Sequence, residues 1–484
     1  MLAVVVASLV CAQTVSPVIQ GAGLLEDIDI LQDAYETLHP GLNRYNSPEQ
    51  IQSQFQVLRS RLAKGATLPQ AYLAISEFTA KLKCGHSYPN FYNQPKATAQ
   101  ALFSTTKRLP FYFKWIDRRM VVTRPFSESL SIGDEVVSID GISVDRILSR
   151  LMQVARADGG NVGKRINYLG VYGRDRYEAF DIYHPLYFPS SSDKYVLKVR
   201  SSKGINQLSL SGLTDKNRAD AYEANEKSAG SNEAPWKLTL LNPEVAYLKT
   251  NTWQFYDDEW DYKKFLKECF TTLNSGSADS LIVDIRGVEG GSSCGDAIIA
   301  HLINKEVTLE EGDRYVRQSS VPPRLRPYLS TWDRSFYDWG SSAGNEQFVP
   351  LAGTRLRRFT RYDSPEGGDR IKPVAPQWGK KVYVLIDATN SSATFQFANQ
   401  IQQLKLATLV GEPTGGNRRG INGGAFFFLT LPNSQIEVDL PLIAVIPNTN
   451  QPDDGVRPGV LVTPTRHDLV TGRDAALQAI LSRI

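Results

Sequence analysis

Across 484 residues there are only four cysteines, Cys11, Cys84, Cys269 and Cys294, and no two of them stand in a CxxC pair. Structural zinc sites are built from such close pairs, so this spacing argues against one and no metal is expected. Charge of one sign is also scarce. Lysine and arginine number 54 against 51 aspartate and glutamate, a net charge of +3, which is too small to make nucleic acid or an anionic membrane the main partner. Long apolar runs are missing after the first residues, so no membrane span is expected. The one apolar run, "MLAVVVASLVCAQ", is too short to cross a bilayer and ends in small residues that suit cleavage after Ala12. It lacks a basic leading segment, yet it predicts a signal peptide over residues 1–12 and an exported protein (periplasmic, cell-surface or secreted). In an exported chain two of the three remaining cysteines could pair, and the sequence does not choose which.

What is present is ordinary globular material, 42% hydrophobic and 22% charged, long enough for two or three folding units. Apolar residues recur at helical spacing in "LLEDIDILQDAYETLH" and "LPQAYLAISEFTAKL", which predicts a helical domain over residues 22–100. It ends in "KCGHSYPNF", where Gly85 breaks the pattern and leaves His86 on a loop. Short alternating segments follow, then "GDEVVSIDGISV" with a turn at Asp140-Gly141, so residues 101–160 read as a small β module. Residues 161–243 begin aromatic and strand-like and turn polar from Thr214 to Asn232, as a strand-rich connection with an exposed stretch. From Glu244 buried-strand patterns ("VAYLKT", "SLIVDIRG", "KVYVLID", "ATLVGEP") alternate with helical ones, which predicts a layered α/β domain over residues 244–484. Residues 305–379 are too long for a connector and read either as a lid or specificity insertion or as a surface excursion.

Two strand-to-helix turns could carry chemistry. In "DATNSSATFQFANQ", Ser391 and Ser392 stand at the C-terminal edge of the predicted sheet, where open α/β sheets place ligands. Serine is also a preferred helix cap, so spacing alone leaves both roles open. "LIVDIRGVEGGSSCGDA" is a second strand running into a glycine-rich turn, and free amides near Gly290 and Gly291 could hold an oxyanion. No lysine follows those glycines, which argues against a phosphate loop.

These blocks, in this order, resemble the serine peptidases that include the C-terminal processing (tail-specific) peptidases and the core of the tricorn protease. "DIRGVEGG" is similar to that family's DLRxNxGG, "NSSATFQFANQI...ATLVGEPTGG" to SASAxE...VGExTxGK, and "DDGVRPGVLVTP" to GxGVxPDxxV. "CGHS" resembles DGHT, and "GDEVVSIDGISV" the last part of a PDZ domain. The resemblance implies a crotonase-like (ClpP-like) layered α/β catalytic domain with the helical domain and a degenerate PDZ-like module before it. It implies Ser392 as nucleophile, with the amides of Gly290, Gly291 and Ala393 as oxyanion hole. The processing peptidases' lysine base falls on Asn417, and neither Arg418 nor Arg419 can replace it, because arginine stays protonated. The tricorn-like branch uses a histidine instead, here His86, whose imidazole can take the serine proton near neutral pH. An acid before the GV of the last block would orient it, Asp453 or Asp454. Further departures are Val288 for the family's Asn, Gly459 for an Asp, Cys84 for the Asp of DGHT, and Thr394 or Phe395 near its Glu. A disulfide between Cys84 and Cys294 would clamp His86 against the oxyanion loop. The implied activity is an exported serine endopeptidase acting on polypeptides without a cofactor. The alternative is an inactive hydrophobic-ligand- or peptide-binding protein on the same scaffold.

Overall fold

The computed structural model describes residues 17–104, 107–229, 235–256, 260–309, 312–363 and 369–484. The expected signal peptide over residues 1–12, and Cys11 with it, lie outside them. Among the described residues no helix is long and apolar enough to cross a membrane.

The N-terminal part is helical, as its periodicity predicts, with helices Gly21–Leu38, Pro48–Leu62 and Leu68–Lys81. Ser47 and Thr67 start the last two as capping boxes with Gln50 and Gln70, each followed by proline in the first turn. Such caps satisfy amides that the helix leaves open, and proline there gives up no helical hydrogen bond. An antiparallel sheet of strands Phe111–Ile116, Arg119–Pro125, Glu135–Ile139, Lys194–Ser201 and Gly204–Ser211 follows. It runs across position 160, so the β module and the connection after it share one sheet. Residues 215–229, expected as part of an exposed connection, form a helix.

The C-terminal part holds a six-stranded sheet in the order Val460–Leu461, Thr408–Gly411, Lys381–Ile386, Ser280–Asp284, Val245–Thr250, Trp236–Asn242. All neighbours pair in parallel except the last two, which are antiparallel. Buried on both faces, its central strands read as continuous apolar runs. Leu281, Val283, Val384 and Ile386 pack under helices Tyr262–Ser275, Cys294–Leu302 and Ala393–Gln403, while Ile282, Tyr383 and Leu385 pack with Ala476 and Ile480 of helix Ala475–Leu481 on the other face.

Residues 305–379 are neither a plain connector nor an excursion. Their strands Asp313–Val316, Leu329–Ser330, Ala343–Val349 and Thr354–Phe359 join the hairpin of Ile421–Thr430 and Glu437–Ile446 in a second six-stranded sheet. That hairpin's Phe427, Leu429 and Leu440 share one core with Leu31, Tyr35 and Phe78 of the N-terminal helices. Helical unit and inserted sheet are thereby fixed to each other. The three described cysteines, Cys84, Cys269 and Cys294, are free and buried, so the Cys84–Cys294 disulfide is not formed. Cys84 instead accepts a hydrogen bond from the Asn422 amide at 3.3 Å.

Candidate active site

Strand Lys381–Ile386 ends in a turn that delivers Ser392 to the start of helix Ala393–Gln403. Asn390 builds that turn. Fully buried, it donates to the carbonyls of Ile285 (2.7 Å) and Val288 (3.0 Å), and its own carbonyl accepts from Gly415 and Gly416. Ser392 itself sits at φ +52° and makes no capping hydrogen bond. A non-glycine residue in that region is strained by about 1–3 kcal/mol and persists only where its surroundings force it. Half-buried Ser392 therefore stands on a strained elbow at a helix N-terminus, where an attacking group would be placed.

Ser391 answers differently. It is buried, its hydroxyl accepts from Lys164 Nζ at 3.2 Å, and it lies 3.3 Å from the Glu289 carbonyl. Lys164, with a side chain only 5% exposed, also donates to Glu289 Oε1 (2.9 Å) and the Thr389 carbonyl (3.0 Å). Three donors are thus all engaged, one of them in an ion pair, which is the arrangement of a charged structural lysine rather than a proton acceptor.

The glycine-rich turn meets the elbow directly. A Cβ on Gly290 would fall 2.8 Å from Ser392 Cβ, 2.9 Å from the Ser391 carbonyl and 3.2 Å from the Ala393 nitrogen. Gly290 has φ +155° and Gly291 φ +141°; a Cβ on Gly291 would lie 2.3 Å from the Trp253 carbonyl. Only glycine fits this double approach. Thr394 ties the turn to the helix, its hydroxyl lying 3.0 Å from the Val288 carbonyl and 3.2 Å from that of Glu289. The amides of Gly290 and Ala393 have no acceptor among the described residues.

His86 reaches this neighbourhood through a shared guanidinium. Arg156 donates to the Gly85 carbonyl at 2.6 Å and to Glu289 Oε1 at 3.3 Å, so the residue before His86 and the residue before Gly290 hold one side chain between them. Burial lowers the His86 pKa; negative Asp158 opposes this and positive Arg156 adds to it. The His86 Nδ1 is buried without a hydrogen-bond partner, and no hydrogen bond joins His86 to Ser392 among the described residues. Burial would raise the Glu289 carboxyl, but Lys164 and then Arg156 hold it well below the usual carboxylate range.

Neither expected acid bonds to His86. Asp453 Oδ1 accepts from the Gly160 amide (2.8 Å) and the Asn417 side chain (2.7 Å), while Asp454 caps the Gly455 amide and pairs with Arg457. The carboxylates whose charge His86 feels are Asp158 and Glu289. Asp158 also accepts from the Gly85 amide at 2.9 Å, fixing the loop that carries the histidine.

Residues 244–427 match the model of peptidase family S41. The chain carries an S41 peptidase domain. Its fold is similar to that of mature CPAF complexed with lactacystin, with a TM-score of 0.63 at 14% identity over 96% of this chain and 97% of that one. A second structure of mature CPAF gives 0.62 at 15% identity, over 95% and 96%. The photosystem II D1 C-terminal processing protease is matched at 15% identity over 94% of this chain and 98% of that one, with a TM-score of 0.41. No curated protein sequence matches.

In the S41 domain Asn417, which stands where the processing peptidases have lysine, is buried and structural. Its side chain donates to the Asp158 carbonyl (3.1 Å) and to Asp453, and accepts from the Arg419 amide. Sequence reasoning missed Arg156, Asp158, Lys164 and Glu289. Glu289 lies inside the quoted "VEGG" block; the other three come from a segment more than 120 residues away and carry no local signal.

Proposed function

We propose that the protein is an exported serine endopeptidase in which Ser392 is the nucleophile and His86 the general base. The strained Ser392 backbone, with no capping hydrogen bond and with Gly290 close to its Cβ, carries this reading. Ser392 Oγ gives its proton to the His86 imidazole as it attacks a peptide carbonyl, and the developing oxyanion takes hydrogen bonds from the Gly290 and Ala393 amides at the positive end of helix Ala393–Gln403. His86 then returns the proton to the leaving amine, and water, activated in the same way, releases the acyl group. Asp158 and Glu289, rather than Asp453 or Asp454, supply the negative field that favours the imidazolium formed in between. No cofactor takes part.

We read residues 244–484 as the crotonase-like catalytic domain, with residues 305–379 inserted in it. Residues 22–100 are its helical partner, and 101–160 a PDZ-like module with a structural rather than tail-reading role. A hydrophobic-ligand binder would call for an apolar cavity. One cavity of about 420 Å³ has polar or charged groups in its lining, among them Arg44, Lys83, Arg419 and Asp453, while a pocket lined by Leu38, Val316, Phe336, Trp339 and Phe427 has a volume of only about 10 Å³. The reading is tested by incubating the protein with an unfolded polypeptide such as reduced, alkylated casein. Fragments are expected from the wild type and none from Ser392→Ala; a folded wild type that cuts nothing but is stabilised by apolar ligands would replace the peptidase by the binder.

A further inference from the structure

Strand Ile421–Thr430 buries Ala425, Phe427 and Leu429 in the core and turns Phe426 and Phe428, only partly covered, to its other face. The inserted segment pairs with its end, Leu329 opposite Leu429 and Ser330 opposite Phe428. Antiparallel pairing advances one strand as it retreats along the other, so Trp332, two residues on, arrives over Phe426. Its ring centroid lies 5.9 Å from Phe426 and 5.8 Å from Phe428. Phe336, buried, holds it in an edge-on contact at 5.5 Å. Yet Trp332 is 62% exposed. On its far side Phe426 meets the His86 ring at 5.7 Å.

A row of rings thus runs from the candidate general base out to a solvent-facing indole. Isolated exposed apolar residues need no explanation, but a contiguous aromatic patch beside a polar site marks a binding surface. Here its place fixes the occupant. One residue of an extended peptide spans about 3.3 Å, so the ring contact beside His86 is within about two residues of the bond being cut. We propose that Trp332, Phe426 and Phe428 form a substrate subsite that receives an aromatic or large aliphatic side chain flanking the scissile bond. It rests on the peptidase reading above. The inserted residues 305–379 then set specificity, because Trp332 is theirs, while Phe426 and Phe428 come from the hairpin that the insertion pairs with. Aromatic faces stack on aromatic side chains and cover aliphatic ones, whereas a carboxylate would lose water there without gaining a partner.

The test follows the rate at which a plain fluorophosphonate labels Ser392 in the presence of hexapeptides that differ at one central residue, Phe, Leu, Ala or Asp. Protection reads occupancy whether or not the peptide is cut. Phe and Leu peptides are expected to halve the rate at concentrations at least about tenfold lower than Ala or Asp peptides, the discrimination an apolar pocket reaches. Taken within each variant, that ratio is expected to fall to about threefold or less in Trp332→Ala and to persist in Trp332→Phe. Equal protection by all four peptides, or a Trp332→Ala variant that keeps the full preference, overturns the subsite while leaving the peptidase intact. A partner protein that binds the patch without affecting labelling, in place of peptide discrimination, would overturn it too. Failure of the wild type to label with no peptide present overturns the peptidase reading itself, and the subsite with it.

Discussion

Replacing Gly290 by alanine perturbs the oxyanion turn and little else. The added Cβ would stand 2.8 Å from Ser392 Cβ and 2.9 Å from the Ser391 carbonyl, whereas carbons pack at about 3.5–4.0 Å. The turn must therefore withdraw by roughly 0.7 Å or more. Its φ of +155° adds strain for any side chain, of order 1–3 kcal/mol. Withdrawal carries the Gly290 amide away from the position an oxyanion would occupy. Loss of one such donor costs about 100- to 1000-fold, and a misplacement near 1 Å about 100-fold by itself. The expected result is a second-order rate of Ser392 labelling by a fluorophosphonate at least about 100-fold below wild type, with the unfolding free energy down by only about 1–3 kcal/mol. A variant that labels within about threefold of wild type would refute the placement of the oxyanion at Gly290.

Because burial lowers the His86 pKa, the acid limb of kcat/KM is expected below the ordinary histidine value of about 6.5. Asp158→Asn removes a charge that raises this pKa, so its limb should move to still lower pH; a limb moving upward would show that another group is titrating. Asp453→Asn, which keeps an acceptor for Gly160 and Asn417, should leave the limb in place, and a shifted limb would return Asp453 to the role of orienting acid. Lys164→Met removes three hydrogen bonds and the partner of Glu289. With Glu289 half exposed and still held by Arg156, the loss should be about 2–4 kcal/mol in urea unfolding at unchanged m-value; a loss under about 1 kcal/mol would mean that the buried lysine does not brace the elbow.

Local patterns were legible and long-range ones were not. The N-terminal helices announce themselves through periodicity, though their Ser47 and Thr67 capping boxes emerged only in the structure. The buried strands announce themselves through unbroken apolar runs such as "SLIVD". The two strand-to-helix turns that carry Gly290 and the serine pair were legible locally, whereas the choice of Ser392 over Ser391 came from the family resemblance, since spacing left both roles open. The sheet made by residues 313–359 could not be foreseen, since it depends on partners as distant as Leu329 and Leu429. The surroundings of the two acids were illegible for the same reason. Asp453 and Asp454 precede the expected motif in sequence, but in space Asp453 supports Gly160 and Asn417, while Asp158, from the far side of the chain, holds the loop of His86.

Labelling with a fluorophosphonate, read on the intact protein and on its Ser391→Ala, Ser392→Ala and His86→Ala variants, tests the central claim most directly. Wild type and Ser391→Ala are expected to label on a single serine, Ser392, while Ser392→Ala and His86→Ala do not. Labelling that survives in Ser392→Ala and disappears in Ser391→Ala would contradict the account and hand the chemistry to the serine beside Lys164.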